Sequence, residues 1–336
     1  MAAAVRPDAI LKDLHDLWIS LGSRAEAEKA SGVLRACALT LIVAAEDSDD
    51  PAAIAETLAE LMREYPSRAI VLRLRPGGQP LLEAKVSAQC WLPRGHRTQI
   101  CSEQIEITAS HASLADVPAV ALALTVPDLP VVVWCRGSGV FQLPGFERLA
   151  QIAGKLVVDS SIFRDPRPVL ERLAARLRSG RLVADLSWTR LTGWRELIAR
   201  VFEAPGCRKH LAEISGIQVS CAGQTIPASA YYMAAWLAAA LGWSPGDRRL
   251  RFSAVAGENE ALHGVALSSP ELSVSVERES DRALDLRVNG LLRRAVLPVL
   301  TGNAILGEEL AISGHDAVFE RTLAMAELIA GSARRS

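Results

Sequence analysis

Between Val33 and Phe202 the chain repeatedly sets a short, wholly apolar run against a longer stretch with apolar residues every three or four positions. Leu129–Trp134, apolar except for Pro130, suits a strand buried on both faces. Helical stretches between such strands act as crossovers, and crossovers leave neighbouring strands parallel. The expectation is an α/β fold with a largely parallel sheet. Leu182–Phe202 is the clearest unit. Leu182–Leu186 reads as a strand and Ser187-Trp188-Thr189 as a break. A helix from near Thr192 then puts Trp194, Leu197, Ile198, Val201 and Phe202 on one stripe. Trp194 reads as a core anchor. Trp188 has two readings, a lid over the sheet end or part of a functional edge, because loops at the carboxyl ends of parallel strands line binding crevices.

The first residues, Asp8–Leu21, read as a helix, with Ser23–Ser31 as a linker or helix extension, and Val33–Ala44 as one long strand. The acidic loop Glu46–Asp50 follows, with Asp50 as N-cap, Pro51 at the first helical position and Ile54, Leu58 and Leu61 as the stripe. Arg68–Leu74 is the next strand. Leu81–Trp91 and Thr98–Thr108 form a hairpin around Pro93-Arg94-Gly95-His96, the antiparallel exception. A helix spans Ser113–Thr125, another Pro144–Ala153, and Lys155–Val158 is a strand. Asp165 caps a helix with Pro166 first and Gly180 as its stop. Pro227–Leu241 is apolar all round, as a buried helix is.

The pattern then changes to a period of two at Leu250/Phe252/Ala254, Leu272/Val274/Val276 and Leu284/Leu286/Val288, with a type I′ hairpin signal at Asn289-Gly290. Two helices, Asn303–Leu310 and Asp316–Ala330, follow. The expected division is an N-terminal α/β domain over 1–154 and a C-terminal α/β domain over 155–336, with antiparallel strands after about 248.

With a formal net charge of −1 in 336 residues there is no basic footprint for nucleic acid or an anionic membrane. The tract Val117–Cys135 is interrupted by Pro118, Pro127, Asp128 and Pro130, so no membrane span is expected, and Met1–Arg6 does not start a signal peptide. The six cysteines, at 37, 90, 101, 135, 207 and 221, contain no C-x-x-C and read as reduced cytoplasmic thiols.

Gly137-Ser138-Gly139 follows a buried strand, and Asp159 ends the next, which approximates a dinucleotide fingerprint. Gln142 stands where the third small residue belongs, however, which favours a plain loop. Cys90, His96 and Cys101 cluster on one hairpin but lack a fourth zinc ligand. There is no P-loop, no G-x-S-x-G and no H-E-x-x-H. No cofactor, metal or catalytic residue is therefore expected.

Seven segments, RACALTLIVAAEDSDD, YPSRAIVL, CSEQI, VPDLPVVVW, LVVDSS, DLSWTRLTGWRELIA and WLAAALGW, run in order from Arg35 to Trp243. Together they resemble the OpcA family of glucose-6-phosphate dehydrogenase assembly proteins. DLSWTRLTGWREL and PDLPVVVW are the specific ones. Cys135 stands where that family usually has a second Trp. The resemblance implies a non-enzymatic cytoplasmic partner and activator of glucose-6-phosphate dehydrogenase, supporting NADPH production in the oxidative pentose phosphate pathway.

Protein interfaces favour Trp and Arg as anchors. Trp134 with Arg136, and Trp188 with Arg190, fall at predicted strand ends, beside Asp159, Ser160 and Thr189. These residues are the candidate partner-binding edge. On that reading, replacing Trp188 and Arg190 by Ala weakens activation and leaves the melt nearly unchanged. The competing reading is a nucleotide- or sugar-phosphate-binding module, or an enzyme, using the Gly137–Gly139 loop and Asp159.

Overall fold

A computed structural model describes residues 6–27, 32–94, 98–256 and 261–332. The chain divides into two compact units. The first comprises Met1–Val158 and Gly302–Ala311, the second Asp159–Thr301 and Ile312–Ser336.

The strands of the first unit are β1 (Val33–Arg35), β2 (Leu39–Glu46), β3 (Ser67–Arg75), β4 (Leu82–Trp91), β5 (Gln99–Ser110), β6 (Val131–Cys135) and β7 (Lys155–Val158). They are ordered β1-β5-β3-β2-β6-β7, every neighbouring pair parallel, with β4 antiparallel along β5. The expected α/β architecture and its antiparallel hairpin are both present. Leu41, Ile42, Val43 and Ala44 of β2 are fully buried, as a central strand covered on both faces requires. Helix Pro51–Glu64 starts where Asp50 accepts a bond from the Ala52 amide at 2.9 Å, and Ile54, Leu58 and Leu61 face inward. Helix Gly302–Ala311 packs on it, where a Cβ on Gly307 would meet Tyr65 at 3.5 Å and Leu61 at 3.8 Å.

Three readings of this unit change. The single strand expected over Val33–Ala44 is two, because Ala36 and Ala38 donate to the Cys101 and Pro66 carbonyls and turn the chain from β1, beside β5, to β2, beside β3. Of the helix expected over Ser113–Thr125, only Val117–Ala123 is α-helical, with a 3-10 turn at His111–Ser113. Cys90 and Cys101 are disulfide-bonded, not reduced. The hairpin register sets them directly opposite each other with Cα atoms 4.1 Å apart, within reach of a bridge. Cys37, Cys135, Cys207 and Cys221 carry thiols. His96 and part of the Ser23–Ser31 stretch lie outside the described residues.

The second unit contains β8 (Leu182–Asp185), β9 (Gly216–Ala222), β10 (Leu250–Val255), β11 (Leu262–Ser268), β12 (Ser273–Ser280), β13 (Ala283–Val288) and β14 (Leu291–Val296). Strands β9 to β14 form a mixed sheet in the order β10-β9-β11-β12-β13-β14, in which only the β10–β9 pair is parallel. Asn289 and Gly290 take φ of 47° and 83°, as the type I′ turn between β13 and β14 demands. Helix Ala228–Ala240 is buried nearly all round and packs against helix Ala317–Ser332. Gly180, at φ 77°, ends helix Arg167–Arg178.

Candidate functional site

In the second unit the chemistry gathers around Asp185, the last residue of β8. Its carboxylate accepts from the Ser187 amide at 2.9 Å, the Ser160 amide at 3.0 Å and the Tyr232 hydroxyl at 2.8 Å. The first of these bonds caps a one-turn helix, Leu186–Thr189, where a loop was expected. Asp185 is fully buried. Burial pushes its acid up to about 6, and the negative charge of Asp159 adds to the shift, against the lowering effect of its donors.

Asp159 behaves in the opposite way. Burial raises its pKa too, but the Arg190 guanidinium outweighs that and holds the carboxyl below its usual range. The pair is a two-pronged fork, Nη1 to Oδ1 at 2.7 Å and Nη2 to Oδ2 at 2.6 Å. Ser161 donates its amide and hydroxyl to the same Oδ1 at 3.1 and 2.6 Å.

Trp188 is a core residue, with 3% of its surface exposed. Its ring meets Tyr232 edge-on at 6.0 Å and Phe319 at 5.9 Å, and the Arg195 guanidinium stacks 3.5 Å from its centroid. Ser160 and Thr189 are also buried, Thr189 donating to the Asp185 carbonyl. These three residues of the candidate partner-binding edge thus lie inside the unit. Arg190 is the accessible member of this group.

In the first unit, Trp134 is buried in β6, and the Arg136 guanidinium lies 4.8 Å from its ring centroid and 3.8 Å from Asp49. Strand β2 lies between β3 and β6, so the order reverses there, and in such sheets the crevice beyond the strand ends receives ligands. Here it holds Glu46, whose Oε1 accepts from the Gly139 amide at 2.7 Å. Gly137 and Gly139 are small because Glu46 lies over them. A Cβ on Gly137 would sit 2.5 Å from its Oε1. Ser138–Gln142 is a helical turn, not a plain loop. The Gly139 amide that would greet a phosphate already holds a carboxylate, and Asp159 is held by Arg190. The adjoining crevice, about 360 Å³, is lined by Glu46, Asp47, Ser48 and His111.

A further cluster went unread in the sequence. Glu103 on β5 is fully buried and accepts from Trp18 Nε1 at 3.1 Å, Arg35 at 2.6 Å and Arg68 at 2.9 Å. Burial raises its acid, but the bonds from Arg35 and Trp18 bring it below the ordinary value. Its only signal was an acid at an inward position of an alternating strand. Among the described residues no group of three His, Cys, Asp or Glu side chains could hold a metal, and the Cys90 and Cys101 sulfurs are tied to each other. No described helix is long and apolar enough to cross a membrane.

These features define a two-unit α/β protein whose strand-end carboxylates are closed by donors from within each unit. Residues 58–175 match the family model for the glucose-6-phosphate dehydrogenase subunit N-terminal domain, and residues 181–323 match that for its C-terminal domain. The chain belongs to the OpcA family of glucose-6-phosphate dehydrogenase assembly proteins.

Relatives in Synechocystis sp. and Nostoc punctiforme, each carrying "OxPP cycle protein OpcA" as part of its name, are both 33% identical to it, over 57% and 55% of this chain. The matches take in 40% of each relative's length, so this chain spans less than half of them. Among solved structures, a glucose-6-phosphate 1-dehydrogenase from Mycobacterium avium is similar at 13% identity and TM-score 0.48, over 88% of this chain and 90% of that one. KijD10, a 3-ketoreductase from Actinomadura kijaniata, gives 12% and 0.46, over 86% and 96%. Both likenesses are too remote to inform function.

Proposed function

We propose that this protein is a non-catalytic cytoplasmic partner of glucose-6-phosphate dehydrogenase that promotes its assembly or activation. NADPH production in the oxidative pentose phosphate pathway is the process it would serve. The observation that carries this reading is the pair of family matches, which together span 58–175 and 181–323. Its geometry is consistent with docking more than turnover. Glu46 is bonded to a backbone amide, Asp159 to Arg190 and Asp185 to two amides and a hydroxyl. A general acid or base needs reach to a substrate, and the fully buried Asp185 has none.

The test is glucose-6-phosphate dehydrogenase from the same source, assayed with and without this protein and followed by size-exclusion light scattering. A heavier co-eluting species with raised kcat/KM is expected, while the protein alone reduces no NADP. Absence of both complex and kinetic effect would overturn the proposal.

A further inference from the structure

Large exposed apolar side chains concentrate at one place in the second unit. Leu291, Leu292, Val296 and Val299 are 61%, 48%, 75% and 58% exposed and lie within nine residues. Three of them belong to β14, the last strand of its sheet, paired only through β13 among the described residues. An open edge strand is a template for another strand, and Arg293 and Arg294 among these apolar residues restrict which strand can pair there.

The register shows which groups are available. Leu297 donates to the Arg282 carbonyl, so the hydrogen-bonded positions facing β13 are the odd ones, Leu291, Arg293 and Ala295. The amides and carbonyls of Leu292, Arg294 and Val296 therefore point outward along the edge. On one face of this edge lies a groove of about 420 Å³, lined by Leu197, Val201, Leu286, Leu291 and Ala295, with Arg200 and Arg293 in its wall. Arg294 is engaged by Asp285 and Glu279, and Arg200 lies 3.7 Å from Glu196. Arg293 is exposed and has no ion pair among the described residues.

Charge selects the occupant. The antiparallel registers that centre β14 on a second copy of itself set Arg293 opposite Arg293, or Arg294 opposite Arg294. Like charges directly opposite are destabilising. An acidic strand meets Arg293 with the complementary sign.

We propose that β14 is the docking strand of this chain. An extended segment of the partner dehydrogenase pairs along its open edge, with acidic side chains toward Arg293 and apolar ones in the groove. This rests on the functional reading above and names the surface that serves it.

The test compares wild type with Leu292→Pro and Arg293→Glu, each titrated into the dehydrogenase with light scattering and a melt of every variant alone. Leu292→Pro removes one outward amide and leaves the ladder to β13 intact. Each variant is expected to weaken the complex about tenfold or more while its melt stays near wild type. Wild-type binding is expected to fall with salt, and Arg293→Glu to lose that dependence. If Leu292→Pro melts early, Arg293→Glu alone decides. A wild-type complex with undiminished binding by the variants overturns the docking strand and leaves the functional reading standing. No wild-type complex overturns both. A dimer of the protein alone that Leu292→Pro dissociates would make the occupant a second copy and overturn the proposal.

Discussion

Trp188→Ala is expected to lower the melting temperature by about 10 °C or more, following a loss of roughly 3–5 kcal/mol for an aromatic core truncation. The indole is almost wholly enclosed, and its removal strips facing atoms from Tyr232, Phe319 and the Arg195 guanidinium at once. Trp188→Phe keeps the aromatic contacts and is expected to cost about a third as much. Differential scanning calorimetry of the three proteins checks this. A melt within about 2 °C of wild type for Trp188→Ala would restore the reading of Trp188 as a surface anchor. With the melt lowered as expected, any loss of partner binding by this variant has to be separated from loss of fold.

The second large effect belongs to Asp185, and it depends on pH. In the unfolded chain this acid titrates near 3.8, whereas in the fold it titrates at about 6. Between those values the folded protein keeps a proton that the unfolded chain has lost. Stability from this group is therefore fully present below 3.8 and is lost as pH rises through about 6, a fall on the order of 3 kcal/mol. Asp185→Asn cannot titrate and still offers an oxygen to the Ser160 and Ser187 amides. It mimics the neutral acid, so it is expected to be close to wild type at pH 4 and more stable than wild type at pH 7.

Asp185→Ala removes the acceptor altogether and leaves two amides and the Tyr232 hydroxyl without it, at about 1–3 kcal/mol for each buried group. It is expected to be the least stable of the three at every pH. Urea melts at pH 4, 5, 6 and 7 give the comparison, and parallel pH profiles for wild type and Asp185→Asn would refute the raised acid.

Local chemistry was legible where it was strong. Lys155–Val158 was read to the residue, Asp50-Pro51 opens its helix, and Asn289-Gly290 makes its turn, because each signal acts within a few residues. What could not be read depends on partners distant in the chain. Nothing in Val33–Ala44 marks the switch from β1 to β2, since no Gly or Pro breaks the run after Val33. The Cys90–Cys101 bridge needs the hairpin register, which a long loop leaves open.

In the site, the strand ends are legible in the sequence, whereas Trp188 carries two readings there and only folding turns it inward. Asp185 two residues before Ser187 is a helix-capping spacing, and it converts the expected loop into the turn that buries Trp188. Glu46 reads in the sequence as the first residue of an acidic loop, and only folding brings it over Gly137 and Gly139. In β14 the order Leu-Leu-Arg-Arg defeats the period of two, which is what an edge open on both faces allows.

The first unit closes late in the life of the chain. Lys155 is buried on β7, and its ammonium donates to the carbonyl and carboxylate of Glu309, which the ribosome makes 154 residues later. At ~5–20 residues per second, that is a delay of about 8 to 31 s. Until then the emerging chain holds a cation at a site meant to be dry, and the outer face of helix Pro51–Glu64 lacks its cover. Co-translational folding thus cannot run to completion from the N-terminus, and a transcript cut after Val158 encodes a unit that is missing a piece of itself.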